Sequence, residues 1–290
     1  MRLLPPKTLV VCAGLQSAGT TLVSYCFLQR ADTDGVLDAD NDLLPALDPR
    51  LARPIAWYKT TISSFRLSEI ARHYCDAGWD VRPLLVLRDL RAVWASLTTK
   101  EYGRNGITAE DPPLRLRVRR FVDDWRNLAA TPGVKFRYED YVAEPAATLE
   151  LVCRQLGLSW DGAMLSWPKP AERIAHRNNG NESFWATRGE GLLESLARYK
   201  RPSAPRLSAA DLDWLETEFR DYNESNGYPV HLSDACEPSV LTKANLATPN
   251  FEVTRRYVWE TSRKPFRWLL AQFGRRNTKL IDQRSWKRAA

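Results

Sequence analysis

Residues 9–30, LVVCAGLQSAGTTLVSYCFLQR, confine the chain to few folds. Residues 9–12 are an apolar run. It ends at Ala13-Gly14, crosses Gly14-Leu15-Gln16-Ser17-Ala18-Gly19-Thr20-Thr21 and resumes as an apolar helical pattern. A buried strand, a glycine turn and a helix in that order form the unit of a parallel α/β sheet. The spacing G-x-x-x-x-G is that of a phosphate-cradling loop. Such a loop aims successive backbone N–H groups at one point, where the helix dipole adds positive potential. Gly14 and Gly19 permit close backbone approach, and Thr20 and Thr21 add hydroxyl donors. The lysine that follows the second glycine in nucleoside-triphosphate enzymes is here Thr20, which argues against ATP or GTP hydrolysis. A strand–turn–helix with glycines for tight packing has the same spacing, so the loop alone leaves both readings open.

The rest of the chain repeats the alternation. IAWYKTT (55–61) reads as a short second strand, and SSFRLSEIARHYCDAG (63–78) as an amphipathic helix with a serine N-cap and a glycine stop. VRPLLVLRD (81–89) suits a central parallel strand buried on both faces. LRAVWASLTTK and LRLRVRRFVDDWRNLAA read as helices, and GVKFRYEDY as a strand. EPAATLELVCRQLGL is a helix with Pro145 at its start and Gly157 at its end. SAADLDWLETEFRDYNESNGYP is a further helix with a serine cap, whereas RADTDGVLDADNDLLP reads as an acidic, turn-rich segment. The expectation is a three-layer α/β fold around a central parallel β-sheet, with its ligand at the C-terminal edges of the strands. That domain takes residues 1–231, followed by a connecting arm at 232–253 and a basic, aromatic-rich extension at 254–290.

Charge supports this division. The net charge is +7, yet from Thr254 onward eleven Lys/Arg face two acids, so the tail carries +9 and the remainder is near −2. The basic balance describes the tail rather than the domain. Five scattered cysteines show no metal-ligand spacing, and no metal site is expected. Cys12 and Cys153 lie in apolar contexts and read as buried small hydrophobes. With no room for a signal peptide before the first strand and no apolar run of membrane-spanning length, the expected compartment is the reducing cytoplasm.

The segment GLQSAGTTL resembles the 5′-phosphosulfate loop of sulfotransferases, whose usual form ends in S-G-T-T. These enzymes take their sulfuryl group from 3′-phosphoadenosine 5′-phosphosulfate (PAPS) on a P-loop-like fold. Three further segments agree in order. VLRDLRAVWASL is similar to the family's 3′-phosphate motif, an Arg at a strand end and a Ser eight residues later: Arg88 and Ser96. RYEDYVAEPAATLELVCRQLGL resembles the following strand and helix of the bacterial and carbohydrate branch. HRNNGNESF and the closing segment to Gly227-Tyr228-Pro229 resemble its C-terminal section. The likeness covers roughly residues 7–230.

That resemblance implies roles. Residues Ser17, Ala18, Gly19, Thr20 and Thr21 would hold the 5′-phosphate, which needs neither the Walker lysine nor magnesium. Arg88 and Ser96 would hold the 3′-phosphate, Tyr138 would lie near the adenosine, and Arg188 of TRGEG would close over the 3′-phosphate. Two helical turns separate Arg88 from Ser96, about 11 Å of rise, so the pairing comes from the family. On residue type alone Arg88 pairs with Asp89 or Asp111, Ser96 packs a helix and Tyr138 is a core tyrosine. The family often places Lys or Arg where this loop has Ser17, to assist the leaving phosphate. Lys59, at the end of IAWYKTT, is the nearest substitute and would stabilise charge developing on the sulfuryl oxygens; a surface lysine at a strand end is the alternative. The acceptor's proton needs a base. Where the cytosolic branch has His, this chain has Thr61, and His73 reads as structural. The carbohydrate branch uses a carboxylate after the first helix, which here implies Asp40, then Asp38. His176 is placed facing the acceptor, or is simply hydrogen-bonded.

The tail, RRYVWETSRKPFRWLLAQFGRR, mixes aromatics with arginines. Such mixtures lie on anionic membranes or on nucleic acid, pack back on their own domain or form a lid over an anionic acceptor. The resulting expectation is sulfuryl transfer from PAPS to a hydroxylated carbohydrate, lipid or small molecule, with peripheral membrane contact through the extension and no specific nucleic acid. The rivals are a P-loop kinase-like phosphotransferase and a non-catalytic nucleotide-binding protein on the same fold.

Overall fold

The computed structural model describes residues 7–39, 53–61, 66–99, 112–129, 133–166, 207–230 and 279–281. Five strands lie parallel: β1 (Thr8–Gly14), β2 (Thr33–Ala39), β3 (Ile55–Thr61), β4 (Asp80–Leu87) and β5 (Val134–Arg137). A sixth, β6 (Lys279–Ile281), pairs antiparallel with β2, giving the order β5-β4-β1-β3-β2-β6. The apolar runs seen in the sequence form its centre: residues 9–13 of β1 are fully buried, as are Leu84, Leu85 and Val86 of β4. A strand covered on both faces needs apolar side chains on both.

The connections run in opposite directions from the middle of the sheet. β1 passes through α1 (Thr20–Phe27) to β2 on one side; β3 passes through α2 (Leu67–Asp76) to β4 on the other. Right-handed crossovers of opposite direction place their helices on opposite faces, the expected three-layer arrangement. On the α1 face, Cys26 meets Tyr141 of α5 (Tyr138–Ala143) at 3.0 Å, and the buried Arg30 donates to the Ser159 carbonyl after α6 (Pro145–Gln155). On the other face, Trp94 of α3 (Leu90–Thr99) packs edge-on against Trp214 of α7 (Ala209–Glu218). Phe121 of α4 (Pro112–Arg126) does the same with Tyr222 of α8 (Arg220–Ser225). The reversal of direction leaves a crevice at the C-terminal ends of β1 and β4, where ligands bind in open α/β sheets.

Several local expectations are met. Ser208 caps α7 by accepting the Asp211 N–H, Pro145 opens α6, and Gly78 and Gly157 follow α2 and α6 with positive φ. Cys12 and Cys153 are buried. Three expectations need correction. The acidic segment after α1 contains a strand, β2, because tertiary partners replace the alternation it lacks: Asp34 pairs with Arg53 at 3.1 Å, and Gly35 lets Leu28 approach. The predicted helix at 63–78 begins only at Leu67. There the Leu67 N–H donates to Asp124 of α4 (3.0 Å), and the Glu69 carboxylate accepts from the Arg66 N–H (2.8 Å). Burial pushes the Asp124 carboxyl up to about 6. Finally, Tyr138 opens a helix rather than closing a strand. Of the arm and extension, only Lys279–Ile281 is among the described residues.

Candidate active site

The turn from β1 into α1 closes tightly on itself. The Ala18 N–H donates to the Leu15 carbonyl at 3.1 Å, and the Val23 N–H to the Gly19 carbonyl. Gly19 has φ 100° and Ser17 φ 67°. Among the described residues Ser17 is the sole non-glycine with positive φ. Such a conformation costs about 1–3 kcal/mol and persists only where the surroundings over-determine it. Backbone alternating between right- and left-handed conformations turns successive N–H groups to one side, an anion-binding concavity. The first N–H groups of α1 add to it, since no helix can satisfy them internally. The two glycines are fixed by space. A Cβ on Gly14 would lie 2.9 Å from Thr20 Cγ2, and one on Gly19 2.6 Å from Tyr138 Cδ2. Thr20 is buried at the start of the helix; Thr21 is half-buried.

Arg88 follows β4 directly, across the crevice. Its Nη1 donates to the Ser17 carbonyl at 2.6 Å, and its guanidinium lies over the Tyr138 ring, 4.3 Å from the centroid. Thus Ser17, Gly19, Arg88 and Tyr138 form one assembly, drawn from β1–α1, β4 and the β5–α5 junction. The alternative pairing of Arg88 with Asp89 does not form, because Asp89 is committed to α3. It accepts the Arg91 N–H at 2.9 Å and pairs with the Arg91 guanidinium at 2.7 Å. Ser96 is half-buried on α3.

Lys59 lies near the C-terminal end of β3, opposite Cys12 of β1, and is 5% exposed; it is not a surface lysine. Its charge is felt inside the sheet: burial pushes the Cys12 thiol up to about 12, while the Lys59 ammonium pulls it down. Thr61 stands opposite Gly14, so the end of β3 is level with the start of the phosphate loop. Next to it the β2–β3 register slips. Val36 faces Tyr58 and Ala39 faces Thr60, so that Leu37 and Asp38 together oppose Lys59. Bulges of this kind occur beside active sites and re-aim side chains. His73 packs edge-on against Tyr74 within α2, away from the loop in the chain. Asp40, His176 and Arg188 lie outside the described residues.

Sequence reasoning missed the groups that hold Arg88. The Tyr222 hydroxyl accepts from the Arg88 N–H (3.3 Å) and donates to the Arg88 carbonyl (3.0 Å). The Glu139 carboxylate accepts from the Asp89 N–H (3.0 Å) and from the Tyr228 hydroxyl (2.9 Å). The signal available was the closing Gly-Tyr-Pro, which carries Tyr228, but no local pattern connects it to a strand end some 140 residues earlier. Among the described residues no cluster of three His, Cys, Asp or Glu side chains is placed to hold a metal ion.

Comparison with known proteins bears on the fold. The model of the Sulfotransferase family matches residues 48–162, a range that begins after the phosphate loop and includes Lys59, Arg88, Ser96 and Tyr138. No curated protein sequence matches the chain. The sulfotransferase domain of the Synechococcus PCC 7002 olefin synthase superposes with a TM-score of 0.53, covering 79% of this chain and 98% of its own at 16% identity. The sulfotransferase domain from the curacin biosynthetic pathway gives 0.51, 79% and 100% at 13% identity. A mouse sulfotransferase complexed with PAP, the desulfated product, gives 0.46, 77% and 89% at 13% identity. The family match thus covers β3 to α6, and the fold is similar along nearly the full length of two sulfotransferase domains.

Proposed function

We propose that the protein transfers a sulfuryl group from PAPS to a hydroxyl of an acceptor. The observation that carries this reading is the joint between Arg88 and the phosphate loop: a strand-end guanidinium stacked on Tyr138 and bonded to the Ser17 carbonyl. A cationic group beside a loop that lacks the lysine for a triphosphate supports a ligand with a second, separate phosphate. PAPS has that pattern, with one phosphate at each end of the ribose. Bound there, it supplies a sulfuryl group on a phosphate leaving group.

The residues present fit such a donor. The loop N–H groups with Thr20 and Thr21 receive the 5′-phosphate. Arg88, whose planar fork suits phosphate oxygens, and Ser96 receive the 3′-phosphate. The ring of Tyr138, already packed on Arg88 and Gly19, sets the back wall. Lys59 stabilises charge on the sulfuryl and bridging oxygens, the task of the loop cation absent at Ser17. As the acceptor oxygen bonds to sulfur, the sulfur–oxygen bond to the 5′-phosphate breaks and its electron pair leaves with PAP. The acceptor's proton passes to a carboxylate. The segment after α1 supplies the candidates for that carboxylate, Asp40 and then Asp38. Carbohydrates, lipids and small molecules all present the required hydroxyl.

Calorimetry tests the donor. PAP should bind at least about tenfold more tightly than ADP, with or without magnesium, since one charge-assisted contact is worth about 1.5–3 kcal/mol. Equal binding of the two would overturn the reading. Transfer from labelled PAPS to hydroxylated acceptors tests the chemistry. Tight PAP binding with no release of sulfate under any condition would support a nucleotide-binding protein instead.

A further inference from the structure

We propose that Tyr222 is a positioning residue for the 3′-phosphate site, and that α8 with its closing turn belongs to the nucleotide-binding machinery. This rests on the assignment of Arg88 made above. An arginine can select one phosphate only if its Cα is held. Arg88 sits where β4 has ended and α3 has not begun, so neither ladder nor helix fixes its peptide groups. One hydroxyl does: Tyr222 accepts from the Arg88 N–H and donates to the Arg88 carbonyl. The peptide whose carbonyl Tyr222 holds is also held at its N–H, Asp89 donating to Glu139, which in turn accepts from Tyr228.

The clamp is itself rigid. The Tyr222 ring is fully buried, boxed by Phe121 and Trp125 of α4 and stacked on Tyr228 at 5.8 Å. The Arg137 guanidinium covers the Tyr228 ring at 5.0 Å. Burial raises both phenols above their ordinary range, so each keeps the proton it donates. α8 is anchored to α4 by the bidentate pair of Arg126 with Asp221. The Arg88 side chain then reaches forward to Ser17 and Tyr138 while its backbone is gripped from behind.

The test is Tyr222→Phe, which keeps the ring packing and removes both bonds to Arg88. The ratio of PAP to ADP affinity, measured by calorimetry, should fall about tenfold, the loss expected for two buried hydrogen bonds. Glu139→Ala should lower the same ratio, whereas Glu139→Gln, which still offers an oxygen to the Asp89 N–H, should retain most of it. A merely structural role would lower the melting temperature and leave the ratio alone. If the parent discriminates PAP from ADP and both Tyr222→Phe and Glu139→Ala keep the full ratio, the clamp is overturned. If the parent itself does not discriminate, the nucleotide assignment fails instead. Should Tyr222→Phe not fold, the Glu139 pair decides.

Discussion

The Tyr138 ring occupies the space that a side chain at Gly19 would need: a Cβ there would lie 2.6 Å from Cδ2 and 3.0 Å from Cε2 of the ring. Gly19 also has φ 100°, a conformation that side chains rarely adopt. Gly19→Ala should therefore displace both the loop and Tyr138. Stability should drop by about 1–3 kcal/mol, and PAP affinity should fall more than for any other single loop change. Thermal unfolding and calorimetry on one preparation measure both. A variant with parental melting and parental PAP affinity would show that the loop does not depend on this packing.

Arg88→Lys retains the charge but loses the planar contact with Tyr138 and the fork that reaches Ser17. PAP affinity should fall roughly ten- to a hundredfold, with a smaller loss for ADP. Parental PAP binding would assign the 3′-phosphate to another cation.

Lys59 is buried, so its test should keep its volume. Lys59→Met does so and removes the charge. Turnover should drop by about a hundredfold or more, with PAP binding little changed, because PAP lacks the sulfuryl group whose charge Lys59 meets. Transfer from labelled PAPS gives the rate. Undiminished turnover would leave Lys59 a packing residue.

Asp124 makes stability depend on pH. Its folded-state pKa is raised, to about 6 from an unfolded value near 3.8. The contribution is therefore fully present below the unfolded value and is lost as pH rises through about 6. Asp124→Asn still offers an oxygen to the Leu67 N–H and has no charge to bury. Relative to this variant the parent should lose stability between pH 4 and 7, with a slope approaching ~1.4 kcal/mol per pH unit inside that window. Urea unfolding across the series checks it; a pH-independent difference would refute it.

The frame of the protein was legible where burial is two-sided or a turn has only one chemistry. β1 and β4 are apolar because both of their faces are covered, and Gly14 and Gly19 mark the loop between strand and helix. β2 was not legible: Asp34, Gly35 and Asp38 read as turn chemistry, and it is pairing with β3, with Arg53 meeting Asp34 and Leu28 packing at Gly35, that makes the segment a strand. The same holds at the site. Arg88 was named through its resemblance to the family's strand-end arginine, whereas its grip on Ser17 crosses 71 residues and its hold by Tyr222 crosses 134. Such pairings arise from topology, which no local window contains. The depth of Lys59 was missed for a related reason. A lysine in a short strand reads as exposed until the neighbours on both sides are known.

The reversed direction of β6 gives the chain's end a protective task. Lys279 faces Leu37 and Ile281 faces Gly35, so among the described residues this strand covers the middle of the outer rim of β2. A bare rim offers its N–H and C=O groups to any passing strand and invites self-assembly. A chain ending at Asn277 should keep its five parallel strands yet scatter more light as its concentration rises, whereas the full-length chain should not.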